Sequence, residues 1–64
     1  MIEADQKLLI DIAKESTGAY IHDSNMLSSN YKWFCMQGDT IGAEKAERLL
    51  RARLARIRLE KVKT

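Results

Sequence analysis

The sequence predicts an all-α fold: an antiparallel helical hairpin with a long first helix, a turn at residues 37–40 and a basic second helix. Three observations carry this expectation. There is no proline, the residue that most often interrupts helices. β-Branched and aromatic residues are sparse and do not alternate with polar ones, as a half-buried strand would require. Apolar residues recur at helical spacing on both sides of one strong turn signal.

The first helix rests on Leu8, Leu9, Ile12, Ala13, Ala19, Tyr20, Met26, Leu27, Tyr31 and Phe34. At 100° per residue they share one broad face from end to end. Phase kept across Gly18 predicts one continuous or merely kinked helix over roughly residues 3–36, ~50 Å long. Propensity opposes it, because Ser16-Thr17-Gly18 and His22-Asp23-Ser24-Asn25 are poor helix formers and good caps. A break near 17–24 would give a three-helix arrangement instead. Phase continuity favours the unbroken helix.

Gln37-Gly38-Asp39-Thr40 is the turn. Gly38 can end the preceding helix, and Asp39 or Thr40 can cap the next. The second helix then covers about 41–63, ~35 Å. Glu44 and Glu47 near its start and Lys61 and Lys63 near its end suit the helix dipole. So short a connection makes the helices antiparallel neighbours, with Leu9, Ile12, Ala19, Leu27 and Phe34 packed against Leu50, Leu54 and Ile57.

Sixty-four residues make a single helical domain, 1–64. A chain this short buries only ~60% of the surface its unfolded form exposes, so it gains from a staple. Cys35 is the only cysteine and His22 the only histidine, which excludes an internal disulfide and argues against a metal. A lone thiol suits a reducing, cytoplasmic setting. The start, Met1-Ile2-Glu3-Ala4-Asp5-Gln6, is acidic and unlike a signal peptide. No apolar run approaches the ~20 residues of a membrane span. Association is the remaining staple, and a long helix beside a shorter one leaves apolar surface for it. The expectation is a homodimer forming a four-helix bundle.

Charge is unevenly placed. Residues 1–38 carry Glu3, Asp5, Asp11, Glu15 and Asp23 against Lys7, Lys14 and Lys32, a net of −2. Residues 39–64 carry four acids and eight bases, a net of +4. Seven Arg and Lys residues fall within the last seventeen positions. The basic half can contact phosphates or pack against its own acidic half, and a hairpin would set the two side by side.

The second helix has two apolar rows, one of Ala43, Ala46, Leu50, Leu54 and Ile57, the other of Ala52, Ala55, Leu59 and Val62. A surface helix needs only one, so two imply two neighbours. The arginines lie between the rows. They are expected to form ion pairs within the protein, helped by Glu44–Arg48 and Glu47–Arg51 at i,i+4, or to meet a protein partner. The alternative is nucleic acid, contacted by Arg48, Arg51, Arg53, Arg56 and Arg58. Their spread around the helix and the lack of a helix-turn-helix, zinc-finger or RNA-binding aromatic motif weigh against it. A membrane surface is not expected.

Tyr31-Lys32-Trp33-Phe34-Cys35-Met36 is the densest apolar stretch. Its side chains point all round a helix, so Tyr31, Trp33, Phe34 and Met36 are expected as interface anchors, unless Ile41 folds back to make a local mini-core. Arg51 and Arg58 would add charge complementarity. Ser16, Asp23 and Asn30 recur at heptad spacing, as a register-setting polar layer would, or as the edge of a wide stripe.

Catalysis finds no support. His22 and Asp23 are adjacent and point ~100° apart on a helix. Cys35 reads as a small buried hydrophobe, and no phosphate loop, metal spacing or nucleophile elbow occurs. With no catalytic, cofactor or metal residues, the chain reads as a small regulatory interaction protein: an adaptor, inhibitor or assembly factor. By analogy of size alone, such cofactor-free chains are common among accessory proteins of phages and plasmids. A nucleic-acid-binding regulator is the second expectation, and a structural component of a larger assembly the third.

Overall fold

Two of the three helices in this chain start where a side chain caps them. The computed structural model describes residues 1–62, and these form α1 (Gln6–Glu15), α2 (Tyr20–Gln37) and α3 (Thr40–Val62); Lys63, expected at the end of the basic helix, lies outside the described residues. Asp5 opens α1: its backbone is extended, and its carboxylate accepts from the Leu8 N–H at 3.1 Å. Asp39 opens α3 in the same way, accepting from the Gly42 N–H at 3.0 Å.

The first helix is not continuous, which corrects the expectation drawn from its phase. At Ser16 the backbone N–H and the hydroxyl both donate to the Ile12 carbonyl, satisfying the last turn of α1 from the side. Gly18 then adopts φ +56°, a left-handed conformation that costs glycine little. The Thr17 and Gly18 carbonyls accept from Tyr20 and Ile21 to start α2. The break falls at 16–19, so the three-helix alternative is the architecture formed. Apolar phase was preserved across the break by coincidence, because a side chain's angle on an ideal helix does not reveal whether the backbone stays helical.

Gly38 (φ +73°) ends α2 as expected. Its N–H bonds to the Cys35 carbonyl at 3.1 Å and the Asp39 N–H to the Phe34 carbonyl at 3.0 Å, the paired bonds of a Schellman motif. The chain runs up, down and up. Ser16 meets Ser24 (2.7 Å) and Ile2 donates to the Cys35 carbonyl (2.8 Å), so α1 with its leading segment lies antiparallel to α2. Asp5 pairs with Arg51 and Glu15 with Arg58, so α1 runs parallel to α3.

The core lies where the three helices meet. Leu8 and Ile12 come from α1, Tyr31 and Cys35 from α2, and Ala43, Ala46, Leu50, Leu54 and Ile57 from α3. Leu50 is fully buried, at 0% exposure. Ile2, Ala4, Leu9, Tyr20, Leu27 and Phe34 pack round this cluster. The first apolar row of the basic helix therefore packs inward as expected. Ala19, expected among the knobs, is exposed because it sits in the α1–α2 turn. Phe34 packs against Gly42 so closely that a Cβ there would stand 2.4 Å from the ring. The break folds α1 back onto α2 and α3, while Ile10, Ile21 and Met26 of the first segment stay exposed.

Candidate functional site

Two seams hold α1 to α3, and they occupy Arg51 and Arg58. At one end the Tyr31 hydroxyl accepts from the Asp5 N–H (2.8 Å) and donates to Glu47 Oε1 (3.1 Å). Arg51 completes the ring, with Nη2 2.7 Å from Asp5 Oδ2 and Nε 3.3 Å from Glu47 Oε2. This network joins all three helices. Burial pushes the Tyr31 hydroxyl above the ordinary tyrosine pKa; the bond to Glu47 adds to the rise and the Asp5 N–H opposes it. At the other end Arg58 grips Glu15 through two bonds, of 2.8 and 2.7 Å, and reaches Asp11 at 3.6 Å. The paired hydrogen bonds hold the Glu15 carboxyl below, and the Arg58 guanidinium above, their ordinary values.

Arg53 joins α3 to α2. Its Nε lies 2.8 Å from Asp23 Oδ2, an ion pair in which that oxygen has no aligned hydrogen bond, and its guanidinium sits 5.9 Å above the Tyr20 ring. The Glu60 carboxylate beside the Tyr20 hydroxyl raises that group's pKa, with Arg56 opposing. Glu47–Arg51 forms as the spacing predicts. The expected Glu44–Arg48 pair does not form among the described residues, and Arg48 and Lys45 face solvent without an acid partner.

The anchor residues read from the sequence part company. Tyr31 is 2% exposed and belongs to the core and its network, so it is not available as an exposed anchor. Phe34 is half-buried on Gly42, with the Trp33 ring edge-on to it at 5.2 Å. Trp33 and Met36 are exposed. Ile41 does not fold back over them, being 69% exposed itself. Arg51 and Arg58 are committed to the acids of α1. The heptad-spaced polar set does not form a layer: Ser16 bonds Ser24 at the break, Asp23 pairs with Arg53, and Asn30 is exposed. His22 is exposed and Cys35 buried, as expected.

What remains uncovered is the second apolar row of α3, and it is longer than the sequence suggested. Ala52, Ala55, Leu59 and Val62 are exposed, and Ile41 and Leu49 extend the row toward the start of the helix. Three shallow depressions follow one another along it. The first, of ≈330 Å³, is lined by Lys45, Arg48 and Leu49; the next, of ≈160 Å³, by Leu49, Ala52, Arg53 and Arg56; the last, of ≈340 Å³, by Ala55, Arg56, Leu59 and Glu60. Neighbours share Leu49 and Arg56, so the three form one groove over residues 45–60, ~22 Å along the axis. Leu49 and Lys45 were missed as site residues. The 3–4 spacing of residues 41, 45, 48, 52, 55, 59 and 62 was the available signal, interrupted in sequence by cations at 45 and 48. No described helix is long and apolar enough to cross a membrane.

Comparison with protein-family models, with curated proteins and with solved structures finds no match to this chain.

Proposed function

We propose that this chain is a small non-enzymatic helical interaction protein, an adaptor, inhibitor or assembly factor, that docks the outer face of α3 onto another protein. One observation carries the reading. After the core is complete, α3 still presents Ile41, Leu49, Leu59 and Val62 to solvent along its outer side. Isolated exposed apolar residues are ordinary, but an apolar row at 3–4 spacing on one helix, here interrupted by Lys45 and Arg48, is the form taken by helix-docking sites. The small Ala52 and Ala55 at its middle let another backbone approach. Trp33 and Met36 offer a secondary exposed contact on α2. A reducing, cytoplasmic setting suits the lone buried Cys35.

A nucleic-acid-binding role is the second reading, favoured by Lys45 and Arg48, which have no acid partner among the described residues. It is weakened because Arg51, Arg53 and Arg58 already neutralise acids of the same chain. Phosphate contacts would also gain nothing from Leu49 and Leu59.

A photo-crosslinking residue in place of Leu49, with Lys14 as an exposed control site on α1, tests the proposal in cells. The expected result is a protein adduct specific to position 49 that Leu59→Asp abolishes. A nuclease-sensitive adduct would establish the second reading instead. Equal labelling at both positions, or none, would sink the docking role.

A further inference from the structure

The groove along α3 carries information about its occupant. It is lined by Lys45 and Arg48, which have no acid partner among the described residues, by Arg53, which pairs with Asp23, and by Arg56, while Glu60 is the one carboxylate lining it. Its apolar lining is Leu49, Ala52, Ala55 and Leu59, interleaved with these cations. Apolar contact along the length, with cations set within the same face, fits a partner whose apolar side also carries acids.

A second copy of the chain is a poor fit in the register centred at Ala52. A two-fold packing of this groove on itself, centred at Ala52, sets Arg48 of one copy against Arg56 of the other, since both lie four residues from the centre. Like charges brought together at an interface are repulsive. Single-stranded nucleic acid is a poor fit as well: no aromatic side chain lines the groove for a base to stack on. A straight groove of ~22 Å, with small residues at its middle, matches about four turns of another α-helix laid at a close interaxial distance.

We infer that the groove of α3 over residues 45–60 receives an amphipathic helix of a partner protein, with a row of Glu or Asp facing Lys45, Arg48 and Arg56. The inference rests on the docking function proposed above and adds the chemistry of the partner. The apolar lining supplies burial, and the cations select the acidic helix over a neutral or basic one.

The test uses the full chain and two synthetic helices, identical in a Leu/Ala contact row, one flanked by Glu and its twin by Lys. Isothermal titration at low salt is expected to show the acidic helix binding at least ~tenfold more tightly than the basic twin. Lys45→Glu combined with Arg48→Glu is expected to reverse that preference. Both positions are exposed and without partners among the described residues, so the variant is expected to fold, and its circular dichroism checks this. Leu49→Ser, which leaves all charges in place, is expected to weaken both helices. A smaller preference, or one that survives the charge reversal, overturns the inference. So does tighter binding of a 20-nucleotide single-stranded RNA that tolerates Leu49→Ser, or salt-independent self-association through the groove seen by sedimentation. A protein adduct at position 49 together with failure of the acidic helix would discard the acidic partner alone and keep the docking role.

Discussion

The two faces of α3 are built from nearly the same residues and meet opposite fates. The inner face sets Ala43, Ala46, Leu50, Leu54 and Ile57 against α1 and α2 and is buried throughout. The outer face sets Ile41, Leu49, Ala52, Ala55, Leu59 and Val62 in an equally regular row and is exposed throughout. The arginines divide in the same way. Arg51 and Arg58, on the flank toward α1, are held by Asp5, Glu47 and Glu15. Arg48, on the outer side, has no acid partner among the described residues. Composition does not separate the two faces; what lies opposite each of them does. A row of leucines contributes to stability only where other apolar groups replace water around it.

Substitutions sharpen this contrast. The largest effect is expected at Leu50, where truncation to Ala opens a cavity at the meeting point of three helices. Chemical denaturation should show a loss of ~2–5 kcal/mol, and a loss near zero would mean that α3 does not pack as described. Tyr31→Phe removes one hydroxyl that serves both the Asp5 N–H and Glu47. It should cost ~1–3 kcal/mol, because a donor is left without its acceptor. A neutral result would show that water replaces the hydroxyl freely.

Gly42→Ala pits two effects against each other. Alanine gains up to ~1 kcal/mol of helix propensity over glycine, but its Cβ meets the Phe34 ring at 2.4 Å. Overpacking should win, for a net loss of ~1–2 kcal/mol. The decisive comparison is Phe34→Leu: in that background the same substitution should become neutral or stabilising.

Acid titration probes the seam between α1 and α3. Arg58 lowers the pKa of Glu15 in the folded state, so this pair contributes stability above the ordinary carboxylate pKa of 4.5. That contribution should fall away as pH drops below it through the folded value. Glu15→Gln should flatten this part of the stability–pH profile, and added salt should shrink the difference between the two proteins. Identical profiles would mean that the pair is open in solution. The smallest effect belongs to the outer face. Leu49→Ser should change stability by no more than ~0.5 kcal/mol, a tenth to a quarter of the cost at Leu50 one position away. A large loss would place Leu49 in the fold rather than in the docking face.

Much of this was legible in the sequence. The helical class, the turn at 37–40, the inner row of α3 and the Glu47–Arg51 pair followed from spacing and caps, which are local properties. The break at 16–19 was written in Ser16-Thr17-Gly18 but outweighed by apolar phase, because periodicity reports which face a residue would occupy without reporting whether the backbone hydrogen bonds continue. Tyr31 read as an interface anchor because aromatic side chains serve equally in cores and interfaces. Only its hydroxyl bonds to Asp5 and Glu47 distinguish the two uses, and those partners are 26 and 16 residues away.

By itself, then, the sequence determined that the chain is helical, where α3 begins, and that α3 carries two apolar rows with cations between them. The tertiary structure decided which row is core, which arginines are neutralised, and that Gly42 must lack a side chain. The reason is physical: capping and periodicity act over one or two turns, whereas burial and ion pairing depend on what the folded chain brings opposite. Two helices, α1 and α2, cover one side of α3 and leave the other to solvent.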